Sequence, residues 1–127
     1  MDEATIIPDL RRHAPFDAME DTDLAVVARA VSLERYQRGQ AIVVPDGTVA
    51  SHFYIVRNGL VEAAPLPGSY EAEELGWDLE AGDCFPVGAL ISGSAVSSSY
   101  TAADDTECYV LPAEVFRALL QQSKAFK

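Results

Sequence analysis

The chain has 127 residues, the length of one domain by the usual range of about 100 to 200 residues, and its 49% apolar content is enough for one core. Twenty acidic residues against nine basic ones give a formal net charge of -11. From Asn58 through Phe116 there is no Lys or Arg at all, and a surface of that sign repels a phosphate backbone, which excludes direct binding of DNA or RNA.

No run reaches the roughly 18 apolar residues of a membrane span. Asp2, Glu3, Asp9, Asp17, Glu20, Asp21 and Asp23 crowd the start of the chain, a pattern foreign to a secretory signal. A cytoplasmic protein without a membrane partner is expected.

The first 31 residues read as helical. In "MEDTDLAVVARAV", Asp21 or Thr22 is placed to cap a helix whose apolar stripe is Leu24, Val27, Ala28 and Val31. After Ser32 the period shortens, and β-prone runs are separated by the turn pairs Arg38-Gly39, Asp46-Gly47, Asn58-Gly59 and Pro67-Gly68. In the run 52–57, Phe53 and Ile55 fall on one face and Tyr54 and Val56 on the other. Asn58-Gly59 then predicts a tight hairpin into a strand over 60–64, with both turn residues at positive φ.

Further strands are predicted over 74–79, around Cys84 and Phe85, over 97–103 and over 107–111. The last helix is predicted over 112–127, with Pro112 in its first turn and Val115, Phe116, Leu119 and Leu120 as its apolar stripe. The pattern as a whole predicts a mainly β fold, a jelly-roll (double-stranded β-helix) barrel of about eight antiparallel strands with N- and C-terminal helices. Residues 1–127 form a single domain in this reading. The final helix has no stop signal, so the domain is expected to be excised from a longer chain.

Several patterns that could carry chemistry have simpler readings. Cys84 and Cys108 have no metal or redox spacing and read as buried thiols. His13 and His52 are too few for a zinc site, or for the clustered histidines of a cupin. Asp104-Asp105 sits in "AADDTE", which has the composition of a solvated turn. Ser97 to Ser99 lack the G-x-S-x-G frame of a nucleophile elbow. No catalytic residue, metal or cofactor is expected, and the chain is not expected to be an enzyme. Trp77, Tyr70 and Tyr100 are placed near the mouth of the roll, where an aromatic ring either stacks on a purine or packs under a loop.

Three segments carry a family resemblance: "LERYQRGQAIVVPDG", "FYIVRNGLVEA", and "GDCFPVGAL" followed after a gap by "VSSSYTA". Together these resemble the cyclic nucleotide-binding domain, whose phosphate cassette commonly runs G-D-x-F-G-E-x-A-L, a gap, then R-x-A-[ST]-V-x-A. The resemblance covers almost the whole chain and implies a β-roll with flanking helices. Gly82, Asp83, Phe85, Ala89 and Leu90 match the frame.

The contacts depart from it. Pro86 stands in place of the cassette Gly, Val87 in place of the Glu that meets the ribose hydroxyl, and Val96 in place of the Arg that meets the cyclic phosphate. Val cannot replace a charge-assisted bidentate contact. The resemblance also implies a short helix starting near Gly88. Ser97, Ser98 and Ser99 add hydroxyl donors, of which one or two face inward on an alternating strand. The candidate ligand-binding residues are therefore Phe85, Pro86, Val87, Gly88, Ala89, Leu90, Val96, Ser97, Ser98 and Ser99.

The wording "FPVGALISG" with "SSYTAADDTECYVLPAEVF" is similar to the N-terminal module of bacterial signal-transduction proteins that continue into CBS domains and a nucleotidyltransferase-like region. The resemblance implies a regulatory or sensory module with weak or altered binding of a cyclic nucleotide or another small phosphorylated ligand. Its partners would then be those downstream domains. The other reading is a roll that binds nothing small and serves as a docking or dimerisation surface, including as a homodimer.

Overall fold

The structure is a computed structural model that describes residues 3–13, 16–45, 47, 49–65, 76–96 and 98–122. Two helices open the chain, α1 (Glu3–Leu10) and α2 (Asp21–Ala30), with a single 3-10 turn at Phe16–Ala18 between them. Strands β1 (Ser32–Tyr36), β2 (Ala41–Val43), β3 (His52–Asn58), β4 (Val61–Pro65), β5 (Trp77–Leu79) and β6 (Cys84–Phe85) follow. The short helix α3 (Val87–Ser92), strands β7 (Ser98–Ala102) and β8 (Thr106–Pro112), and helix α4 (Ala113–Gln122) complete the described chain. The strands form two antiparallel four-stranded sheets, β1-β8-β3-β6 and β2-β7-β4-β5. This is the mainly β roll with terminal helices that the turn spacing implied.

The sheets face each other, and an aromatic ladder spans the gap. Tyr54 of β3 stacks on Phe85 of β6 with centroids 5.0 Å apart, Phe85 stacks on Tyr100 of β7 at 4.6 Å, and Tyr100 meets the edge of Trp77 on β5 at 6.4 Å. Only the Phe85–Tyr100 contact crosses from one sheet to the other; the contacts on either side of it lie within a sheet, the last of them edge-on as ring quadrupoles favour. The opposite face of β3 packs under the helices, where Phe53 stacks on Phe116 of α4 at 4.4 Å. Strand β8 lies between β1 and β3, and Cys108, Tyr109, Val110 and Leu111 are all buried in succession, as befits a strand covered on both faces.

The Asn58-Gly59 hairpin is not formed. Strands β3 and β4 belong to different sheets, so the chain changes layer at this pair. Gly59 alone has positive φ, at 98°, and Asn58 does not. The Asn58 amide instead donates to Glu107 Oε1 at 2.6 Å, and Thr106 Oγ1 accepts from the Leu60 amide at 3.2 Å. The layer change is thus pinned to the start of β8.

Helix α2 also begins differently from expectation. Glu20 precedes it in extended conformation without a side-chain cap, and Asp21 is ion-paired to Arg11 of the preceding segment. Leu24, Val27 and Ala28 are buried, whereas Val31 lies just past the helix and is half-buried. Of the predicted strand over 74–79, the described part is Trp77–Leu79; the Pro67-Gly68 turn, Tyr70 and residues 123–127 of the last helix lie outside the described residues.

A half-buried charge network, with Arg35 at its exposed edge, fastens the helical layer to the sheet. Tyr109 donates its hydroxyl hydrogen to Asp9 Oδ2 at 2.5 Å. Arg57 donates to Glu107 Oε1 at 2.6 Å, and Arg35 donates to Glu107 Oε2 at 2.8 Å. Arg57 Nε lies 3.3 Å from Asp9 Oδ2 but is not aligned for a hydrogen bond. Glu107 is held below the usual carboxylate range by the hydrogen bonds from Asn58 and Arg35, with Arg57 adding to them against the cost of burial. Arg35 and Arg57 are therefore committed to structure.

Candidate functional site

The cassette begins where β6 ends. Pro86, buried and joined to Phe85 by a cis peptide bond, precedes α3, and its carbonyl accepts from the Leu90 amide at 3.3 Å. Helix α3 lasts six residues because Gly93 adopts the left-handed conformation, with φ of 70°, at its C-terminus and returns its amide to the Ala89 carbonyl. Leu90 anchors the helix in the core and Ala89 is half-buried. Val87 is 38% exposed and Ile91 61% exposed, so the residue that stands in place of the cassette Glu points along the solvent side of α3. Gly88 lies in the first turn of that helix.

Val96, in place of the cassette Arg, is 8% exposed and forms part of a cavity wall. Of the three serines, Ser98 is buried on the same face of β7 as Tyr100 and Ala102. Ser99 is half-buried and donates to the Ala64 carbonyl on β4 at 3.5 Å. Ser97 lies outside the described residues.

The cavity has a volume of about 180 Å³. Ile42 and Val43 of β2, with Val44 after them, form one side. Val49, Ala50 and Ser51, the link into β3, form the second, and His52 and Tyr54 of β3 form the third. Pro86 and Val96 close it from the cassette. Two of the ten candidate residues thus meet at the cavity, whereas Val87, Ala89, Leu90, Ser98 and Ser99 do not line it. The Val49 to Ala95 bridge draws the link into β3 up to the cassette.

Among the described residues, none that lines the cavity is Lys, Arg, Asp or Glu. Ser51 Oγ and His52 Nδ1 share a hydrogen bond at 2.9 Å. Burial, with smaller contributions from Cys108 and Glu34, raises the Tyr54 hydroxyl above its ordinary range, so it stays neutral. A second, wider groove of about 610 Å³ adjoins the cavity and shares Val49, Ala50, Ser51 and His52 with it. Its other wall is Pro112, Ala113, Glu114 and Arg117, the end of β8 and the start of α4.

Residues 33–123 match the family model of the cyclic nucleotide-binding domain. No match to the chain was found among curated proteins. Among solved structures, the chain is similar to the regulatory domain of Toxoplasma gondii PKA in co-crystal with cAMP, at 24% identity and a TM-score of 0.83, covering 93% of this chain and 45% of that one. It is similar to the regulatory subunit of a cAMP-independent protein kinase A from Trypanosoma cruzi bound to guanosine, at 18% identity and a TM-score of 0.84, covering 98% and 42%. The sensor domain of the transcriptional regulator DNR from Pseudomonas aeruginosa is also similar, at 14% identity and a TM-score of 0.80, covering 98% and 82%. The chain spans under half the length of the first two, and all three likenesses are likenesses of fold. The family match over 91 consecutive residues, carried on two antiparallel sheets and a cassette helix between β6 and β7, makes the chain a member of the cyclic nucleotide-binding domain family.

Proposed function

We propose that the chain is a non-catalytic regulatory module of a bacterial signal-transduction protein. Its cassette keeps the family frame without the charged contacts, so cyclic AMP and cyclic GMP bind weakly. The observation that carries this reading is the cavity beside Val96, which no Lys or Arg lines among the described residues. A lost hydrogen bond to a charged group costs about 1.5 to 3 kcal/mol, so losing the Arg and Glu contacts weakens a micromolar binder by roughly a hundredfold or more. The guanosine bound to the Trypanosoma cruzi regulatory subunit is a ligand without phosphate charge, and it supports altered chemistry on this fold. In the parent chain, CBS and nucleotidyltransferase-like regions would follow α4 and receive its signal.

Thermal unfolding with cyclic AMP, cyclic GMP, a cyclic dinucleotide, ATP, guanosine and inorganic phosphate, each at about 1 mM, tests the reading. A ligand with Kd near 10 μM stabilises by about 2.7 kcal/mol at that concentration. No shift of that size is expected from cyclic AMP or cyclic GMP; one of several degrees contradicts the reading. If no small molecule binds at all, the outward face of α3, with Val87 and Ile91 exposed, favours a docking or dimerisation module.

A further inference from the structure

The cavity between β2, the start of β3 and the cassette differs from a nucleotide pocket in size as well as in charge. Drug-sized and cofactor ligands occupy pockets of about 300 to 1,000 Å³, whereas this one is about 180 Å³. The space suffices for one small ring, since a sealed apolar protein cavity of about 150 Å³ holds benzene, although here Val44 and Val49 leave the wall open to solvent. Val43, Val49, Ala50 and Val96 supply the apolar wall, Tyr54 supplies an aromatic ring already stacked on Phe85, and His52 supplies a polar group at one side. Its Nδ1 is taken by Ser51, which leaves the opposite ring nitrogen to meet a hydroxyl or amine.

We propose that this cavity is a binding site for a small uncharged aromatic ring carrying one polar substituent, of the phenol class. The proposal rests on the reading that the cassette contributes no charge. Among the described residues no charged side chain lines the cavity itself, so an ion gains no counter-charge from its walls, whereas a neutral ring exchanges water for apolar contacts. The polar substituent gives orientation through His52.

Methyl-resolved NMR of the whole 127-residue chain, titrated with phenol, benzene and cyclic AMP, tests the site. Ring-current shifts are expected at the methyls of Val43, Val49, Ala50 and Val96 and not at Leu119, saturating near about 1 mM for a ligand of phenol's size. Val96→Phe, which fills the cavity, is expected to weaken phenol at least tenfold, and Ala50→Leu provides a second filler should the first not fold. His52→Ala is expected to weaken phenol by about 3- to 10-fold more than it weakens benzene, the difference being the worth of one hydrogen bond.

Absence of saturable shifts with either ring, or equal binding by the filled variants, overturns the proposal. Displacement of phenol by micromolar cyclic AMP overturns both it and the reading of the cassette. Saturable ring binding with unaltered hydrogen exchange in α4 upholds the ligand class and overturns the regulatory reading alone.

Discussion

The Ala113 amide donates to the Ser51 carbonyl at 3.0 Å. The first residue of α4 is therefore hydrogen-bonded to a segment that walls both the cavity and the adjoining groove. A ligand that displaces this segment meets the helix directly, and its differential affinity for two helix positions would set the size of any signal.

Ala113→Pro removes that link, because proline is tolerated in the first turn of a helix and lacks the N–H, while adding two ring carbons at a buried position. The variant is expected to lose about 0.5 to 1.5 kcal/mol and to uncouple α4. Hydrogen exchange with and without phenol checks this: ligand-dependent protection of α4 present in the wild type should be absent from the variant.

Glu107 should dominate the acid limb of stability. Because its folded pKa lies below the ordinary value, its contribution is complete above the unfolded value of about 4.3 and is lost as pH falls through the folded one. Glu107→Gln is expected to cost about 1.5 to 3 kcal/mol at pH 7 and to flatten the fall in Tm below pH 5. Melting curves across pH 2 to 7, roughly the range that brackets both values, provide the check.

Tyr109 gives the opposite sign. Burial, then its hydrogen bond to Asp9, pushes its hydroxyl up to about 12. Its contribution is complete below the unfolded value of about 10 and is lost as pH rises towards the folded one. Tyr109→Phe should lower stability at neutral pH, loosen α1 in hydrogen exchange, and remove this part of the alkaline limb.

Both thiols should react slowly in the folded protein, the buried Cys108 more slowly than the half-buried Cys84. Burial pushes Cys84 and Cys108 up to about 12, with the Asp83 charge adding to the effect at Cys84. At pH 8 these thiols stay protonated, whereas roughly a quarter of a free thiol of pKa 8.5 is ionised. Labelling of the buried Cys108 with a disulfide reagent is expected to stall until denaturant is added, with the half-buried Cys84 reacting ahead of it; rapid labelling of Cys108 without denaturant would contradict its burial.

Much of the roll was legible because its strands are short alternating runs with Gly turns between them. What misled was local chemistry common to two geometries. Asn58-Gly59 satisfies a hairpin rule, yet its course is set by Thr106 and Glu107, almost fifty residues away, which draw it across to the other layer. A Cβ at Gly59 would stand 2.5 Å from the Asp105 carbonyl oxygen, so this glycine serves close approach as well as positive φ. Gly59→Ala should therefore cost more than about 1 kcal/mol, the range for a strained backbone position.

The site was legible only along its cassette edge. Pro86 and Val96 are read from the motif, and both reach the cavity. Ile42 to Val44 and Val49 to His52 carry no motif. They become walls through the Val49 to Ala95 bridge and the pairing of β2 with β7, which no local pattern encodes. In the sequence His52 suggests only a metal ligand, a role that calls for companions, whereas a cavity wall calls for none.

The central claim is that this family member has lost the charge that recognises a cyclic phosphate. Calorimetric titration of cyclic AMP into the wild-type chain and into Val96→Arg tests it most directly. The expected result is a wild-type Kd weaker than about 100 μM, the consequence of two lost ionic contacts, with tighter binding in the variant. Micromolar binding by the wild type would contradict the claim.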